Sequence, residues 1–148
     1  PKGDLHSEIG RRRERNQIFE EGEIWGILRH LVSGLAFLHN LGIVHRDIKA
    51  LNILLCDDPQ TKESIVKLSD FGITRERSTQ TVMLKSFYGT PLYASPELCK
   101  NEPYNEKTDM WALGITIYEL AALKPPFYSD NLISLARKIE AGKYQQIP

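Results

Sequence analysis

Cysteine is scarce in this sequence: there are two in 148 residues, and methionine and tryptophan are as rare. Cys56 and Cys99 cannot build a disulfide framework, and neither stands at a metal-ligand spacing. His6, His30, His39 and His45 form no i, i+4 pair and accompany no cysteine pair, which argues against a zinc site. Net charge is lacking too, since 19 Lys and Arg balance 19 Asp and Glu. That balance argues against a wholesale nucleic-acid or membrane-surface binder, so neither is an expected partner. No low-complexity tract or internal repeat occurs, and the start, Pro1-Lys2-Gly3-Asp4, has no apolar run or cleavage signal. Secretion is therefore not indicated, and a reduced intracellular, cytoplasmic compartment is the expectation. The most apolar stretch, residues 110–120, is shorter than the ~20 residues a bilayer span needs and carries Glu119.

What is present suits a globular fold with one substantial core: 41% hydrophobic and 26% charged residues. From about residue 20 to residue 40, Ile24, Ile27, Leu28, Leu31, Val32, Leu35 and Leu38 recur at spacings of three and four, one face of an amphipathic helix. Gly22, Gly26 and Gly34 weaken it by about 1 kcal/mol each relative to alanine, so packing must hold it. Gly42 supplies a stop. The period then changes. Ile43-Val44, Ile53-Leu54-Leu55 and Ile65-Val66-Lys67-Leu68 read as short strands, with a polar hairpin loop over residues 57–64 between the last two.

Residues 73–94 are rich in Ser, Thr and Arg without a period, and a loop that long is usually functional. Residues 108–123 are apolar almost all round, as a helix buried on most sides would be, and Pro125-Pro126 ends it. A last amphipathic helix is expected from about residue 131 to residue 141, closed by Gly142. Arg11, Arg12, Arg13 and Arg15 make the strongest local charge. A solvated helix end or loop is the ordinary reading, and a docking patch for an acidic partner the alternative.

The chemistry-bearing residues are His45-Arg46-Asp47-Ile48-Lys49-Ala50-Leu51-Asn52, between two predicted strands. Asp70-Phe71-Gly72 begins 18 residues after Asn52, and Ser95-Pro96-Glu97 follows the long loop. Alone, the first tripeptide reads as surface charge, the second as a turn, and His45 as a core histidine. Together, in this order and spacing, they resemble the signature set of eukaryotic protein kinases, with Ser95 where alanine is usual. Moving a γ-phosphoryl group needs positioning and charge neutralisation more than covalent chemistry. The resemblance makes Asp47 the candidate base toward the acceptor hydroxyl, and Asn52 and Asp70 the candidate magnesium ligands. Magnesium keeps several waters, so two hard side-chain oxygens suffice beside the nucleotide phosphates. Lys49 would stabilise the transferred phosphate.

The resemblance covers essentially the whole chain and implies an α+β fold: a mainly helical lower kinase lobe with a small β-hairpin region. ATP and Mg2+ are the implied cofactors. Asp4 resembles the acidic residue that contacts the ribose, and Leu54 the floor of the adenine pocket. Asp109 resembles the buried aspartate that anchors the catalytic loop. Lys49 and the run Gly89-Thr90-Pro91-Leu92-Tyr93-Ala94-Ser95-Pro96-Glu97 are similar to the serine/threonine branch, in which Thr90 would bridge Asp47 and Lys49. That run, with Asp109-Met110-Trp111-Ala112-Leu113-Gly114 and Lys138-Ile139-Glu140-Ala141-Gly142, is similar to the NIMA-related kinases. Mitotic or ciliary work, and a cytoskeletal or ciliary location, would follow by analogy. Arg46 beside Asp47 implies control by a phosphate on the long loop, with Ser86 the matching phosphosite, written by an activating kinase or by autophosphorylation in trans. Ser78, Thr79 and Thr81 are weaker candidates. Ile73 would favour threonine acceptors or be a core residue only, and Leu51 gives no support for an arginine requirement near the acceptor.

Protein substrates are the implied partners. No Gly-rich phosphate loop, strand lysine or regulatory-helix glutamate occurs in the sequence. The expectation is a partial kinase domain over residues 1–148, without its upper lobe and last helices, poorly stable and inactive in isolation. Glu97 would lack its usual arginine. A pseudokinase or scaffold is the competing reading, against which stand Asp47, Lys49, Asn52 and Asp70, all four intact.

Overall fold

The computed structural model describes residues 2–61, 64–70, 91–103 and 105–147. Helices dominate: α1 (Leu5–Glu14), α2 (Glu21–Asn40), the short α3 (Pro96–Cys99), α4 (Glu106–Ala122) and α5 (Leu132–Ala141). A 3-10 helical turn, Ala50–Asn52, leads into an antiparallel hairpin of β1 (Ile53–Asp57) and β2 (Ser64–Leu68). This is the mainly helical α+β architecture expected. Among the described residues no helix is long and apolar enough to cross a membrane.

Local chemistry explains the boundaries. The side chain of Glu20 and the N3 residue Glu23 form a reciprocal capping box at the start of α2. Asn105 caps α4, and Asn131 caps α5 by accepting from the N–H groups of Ile133 and Ser134. Gly142, left-handed at φ 63°, closes α5 as the sequence predicts. In the hairpin loop, Asp58 Oδ1 accepts from the N–H groups of Gln60 and Thr61, which holds its carboxyl below the usual range.

The core lies where α2 packs against β2 and α4. Leu31 and Leu35 of α2, Ile53 of β1 and Leu113 and Leu120 of α4 are buried there, joined by Leu5 and Ile9 of α1. A second cluster, Ile115, Phe127, Leu135 and Ile139, fixes α5 to α4, with the Trp111 ring stacked on Phe127. Gly34 has a packing reason. A Cβ there would lie 3.3 Å from Leu68 Cδ1, so glycine lets α2 approach the hairpin.

Two expectations need correction. Ile43-Val44 forms no strand. The Ile43 N–H donates to Leu38 O at the end of α2, and the His45 and Arg46 N–H groups go to the Asp109 carboxylate, so the donors on either side of Val44 are committed elsewhere. The arginine cluster does form the end of α1, with Arg11, Arg13 and Arg15 exposed, but Arg12 is not merely solvated. Arg12 makes a two-pronged pair with Glu23 at 3.0 and 2.7 Å, a bond to Glu8 at 2.9 Å, and lies 4.0 Å over the Phe19 ring. Arg11 pairs with Glu8. Arg13 Nε donates to Leu123 O at 2.7 Å, satisfying a carbonyl at the left-handed C-cap of α4. Arg12 and Arg13 tie α1 to α2 and α4. Arg12→Ala should therefore destabilise the full-length protein by about 2 kcal/mol, the worth of a forked carboxylate pair plus a cation–π contact. Urea denaturation would show it, and a change below about 0.5 kcal/mol would refute it.

Candidate active site

The loop between α2 and the hairpin, residues 41–52, has little regular structure to hold it, and α4 holds it instead. Asp109, in the first turn of α4, is 1% exposed. Its Oδ2 accepts from the His45 N–H and lies 2.8 Å from His39 Nε2, while its Oδ1 accepts from the Arg46 N–H, also at 2.8 Å. Arg46 is left-handed, φ 69°, which helps successive N–H groups converge on one anion. A non-glycine residue there costs roughly 1–2 kcal/mol, so the carboxylate must over-determine the turn. The buried His45 ring turns back on the loop, its Nδ1 accepting from the Asp47 N–H at 3.3 Å.

That anchoring presents Asp47, whose side chain is 49% exposed. Its Oδ2 meets Lys49 Nζ at 2.9 Å and accepts from Asn52 Nδ2 at 2.9 Å. Asn52 Nδ2 also donates to the Asp47 carbonyl at 2.8 Å. With its amide donors directed at Asp47, buried Asn52 retains Oδ1 as a hard-oxygen acceptor.

The hairpin then brings Asp70 to the same end. Its last register pair is Ile53 with Leu68, and the Ser69 N–H donates to Asn52 O at 2.9 Å just beyond. Asp70 follows directly and is also left-handed, φ 51°. The set fits a magnesium ion held between one Asp, one Asn and phosphate oxygens. Among the described residues no group of three or more His, Cys, Asp or Glu could hold a metal by itself.

At the other side of β1, Asp4 bridges to Leu54, Lys2 N donates to Leu55 O and Leu55 N donates to Gly3 O. Asp4 also caps α1: its Oδ1 accepts from Ser7 N at 2.7 Å, which holds its carboxyl below the usual range. Leu54 is half-buried, on the strand face opposite buried Ile53.

These observations can be set beside known proteins. The model of the protein kinase domain matches residues 1–147. The chain belongs to the protein kinase family. Among its relatives, the human serine/threonine-protein kinase Nek5 is 44% identical over 93% of the chain and 18% of that protein. Mouse Nek9 is 40% identical over 95% of the chain and 14% of that protein. The serine/threonine-protein kinase TIO of Arabidopsis thaliana is 44% identical over 85% of the chain and 9% of that protein. The chain thus spans less than a fifth of the length of these relatives, and the NIMA-related resemblance agrees with the Nek matches.

In this kinase chain the structure brings together Asp47, Lys49 and Asn52, and places Asp70 beside them and Asp4 beside Leu54. Thr90, Ser86, Ile73, Ser78, Thr79, Thr81 and the Phe71-Gly72 pair lie outside the described residues. Three supporting contacts escaped the sequence. His39 completes the Asp109 anchor from the last turn of α2, 70 positions away. The Tyr93 hydroxyl donates to the buried Glu119 carboxylate of α4, and burial followed by that charge pushes the phenol far up. Glu97 does not stand without a partner: Thr108 Oγ1 donates to it at 2.7 Å. Burial pushes the Glu97 carboxyl up, but its own backbone N–H and the Thr108 hydroxyl outweigh this and leave it lowered. Only the apolar setting of Glu119, inside an otherwise hydrophobic run, could have drawn attention to one of these.

Proposed function

We propose that this chain is the substrate-facing part of a serine/threonine protein kinase domain, transferring the ATP γ-phosphate to serine or threonine hydroxyls of protein substrates. The observation that carries this reading is the Asp47 carboxylate held between Lys49 Nζ and Asn52 Nδ2, at the hairpin end that also bears Asp70. Asp47 accepts the proton of the attacking hydroxyl. Lys49 neutralises charge on the phosphoryl oxygens, and the family resemblance assigns Thr90 the role of bridging Asp47 and Lys49. Asn52 Oδ1 and the Asp70 carboxylate would hold a magnesium ion, which would supply charge neutralisation for the phosphates. Leu54 floors the adenine site, and Asp4 keeps acceptor capacity for the ribose beside its cap. Residues 1–148 contain no Gly-rich phosphate loop, strand lysine or regulatory-helix glutamate, so this chain by itself should transfer no phosphate.

The test is phosphate transfer from ATP to a generic protein substrate by the full-length protein and by its Asp47→Asn variant. Transfer lost in the variant supports the assignment. No transfer by either, with nucleotide in excess, favours a scaffold that retains the fold without the chemistry. Control is assigned to Arg46, which would pair with a phosphate on Ser86. Ser86→Ala should lower activity about tenfold or more, the worth of one to three charge-assisted hydrogen bonds. Equal turnover by Ser86→Ala and a phosphorylated wild-type preparation would refute it.

A further inference from the structure

Ser69 lies between the two candidate magnesium ligands and belongs to neither. Its backbone N–H donates to Asn52 O at 2.9 Å and its hydroxyl donates to the same oxygen at 3.2 Å. A carbonyl oxygen has two lone pairs, so Ser69 can occupy both and leave Asn52 little freedom to turn. Asn52 in turn donates to the carbonyl and the carboxylate of Asp47. On its other side Ser69 is bonded directly to Asp70, whose backbone is left-handed, a region aspartate enters more readily than most residues. One serine therefore joins the catalytic loop, the end of β2 and the acidic residue after it.

We propose that Ser69 is a positioning residue, whose hydroxyl sets the relation of Asn52 to Asp70 and so the affinity of the site for a divalent cation. This rests on the assignment of Asn52 and Asp70 as the cation's protein ligands. The backbone bond from Ser69 to Asn52 survives any substitution other than proline, so the hairpin should persist without the hydroxyl. Removing the hydroxyl leaves the Asn52 main-chain carbonyl with one donor and lets that peptide plane rock, which shifts the Cα from which the side chain bearing Oδ1 projects. A site that needs oxygens at closely set distances from a small cation should feel that shift.

The experiment is a Mn2+ titration of the full-length protein saturated with ADP, followed by the paramagnetic signal of free Mn2+. Wild type, Ser69→Ala, Ser69→Thr and Asp70→Asn are compared. Ser69→Ala should bind Mn2+ about fivefold more weakly, the worth of one neutral hydrogen bond. Ser69→Thr, which keeps the hydroxyl, should restore the affinity, a rescue that a purely structural role would not require. Affinity unchanged in Ser69→Ala, or equally weakened in Ser69→Thr, overturns the proposal. The Asp70→Asn arm separates the two failures: if it binds Mn2+ as wild type does, the assignment of the site falls, and the Ser69 proposal with it. If Asp70→Asn alone loses the ion, only the Ser69 proposal falls.

Discussion

Asp109→Asn is expected to remove phosphate transfer from the full-length protein and to lower its stability by about 3–5 kcal/mol. The carboxylate receives two backbone N–H groups, one on each oxygen, and adjoins the imidazole of His39. Asparagine keeps the shape but offers one oxygen and one NH2 group. Whichever way the amide turns, at least one of the His45 and Arg46 donors faces another donor in a place that is 1% exposed. An unsatisfied buried donor costs about 1–3 kcal/mol, and loss of the charge from the remaining bonds adds to it. The left-handed turn at Arg46 then loses what imposes it, and the loop carrying Asp47 relaxes. Denaturation and transfer assays on the same preparation would measure both effects. A variant within about 1 kcal/mol of wild type and still active would show that the loop is held by something else. His39→Ala should be milder, because both backbone donors keep their acceptor.

The elements legible in the sequence were those with local causes. The all-round apolar run of α4, the stop at Gly42 and the closure of α5 at Gly142 follow from periodicity and turn chemistry within a few residues. Asp47, Asn52 and Asp70 were legible as an ordered set, and the hairpin register places them at one end. What failed depended on partners far along the chain. Ile43-Val44 has strand composition, but the donors around it are claimed by Leu38 and by Asp109 more than sixty positions later. Arg12 and Arg13 look like solvated charge until Glu23 and Leu123 fold against them. The same reason hid Thr108 from Glu97, since a sequence shows that a glutamate is present and not which hydroxyl comes within 2.7 Å of it. Resemblance pointed to Asp109, yet the three donors around it became visible only with α2, the loop and α4 in place.

Asp47→Asn, unlike Asp109→Asn, should separate chemistry from stability. The side chain is half exposed, and its partner Lys49 is 33% exposed, so the pair adds little to folding. Denaturation midpoints should therefore agree with wild type to within about 0.5–1 kcal/mol. Asparagine remains close in shape, so Asn52 and Lys49 need not rearrange far. What disappears is a carboxylate able to accept the hydroxyl proton, and with it the charge that orients Lys49. Loss of a positioned general base lowers turnover by about 10²–10⁴-fold, and kcat rather than the KM for ATP should carry the loss. A KM that rises while kcat holds would assign Asp47 to binding instead. Turnover above a tenth of wild type would remove it from the centre of the reaction, whereas a large fall in stability would show that the loop, like its anchor at Asp109, depends on that charge.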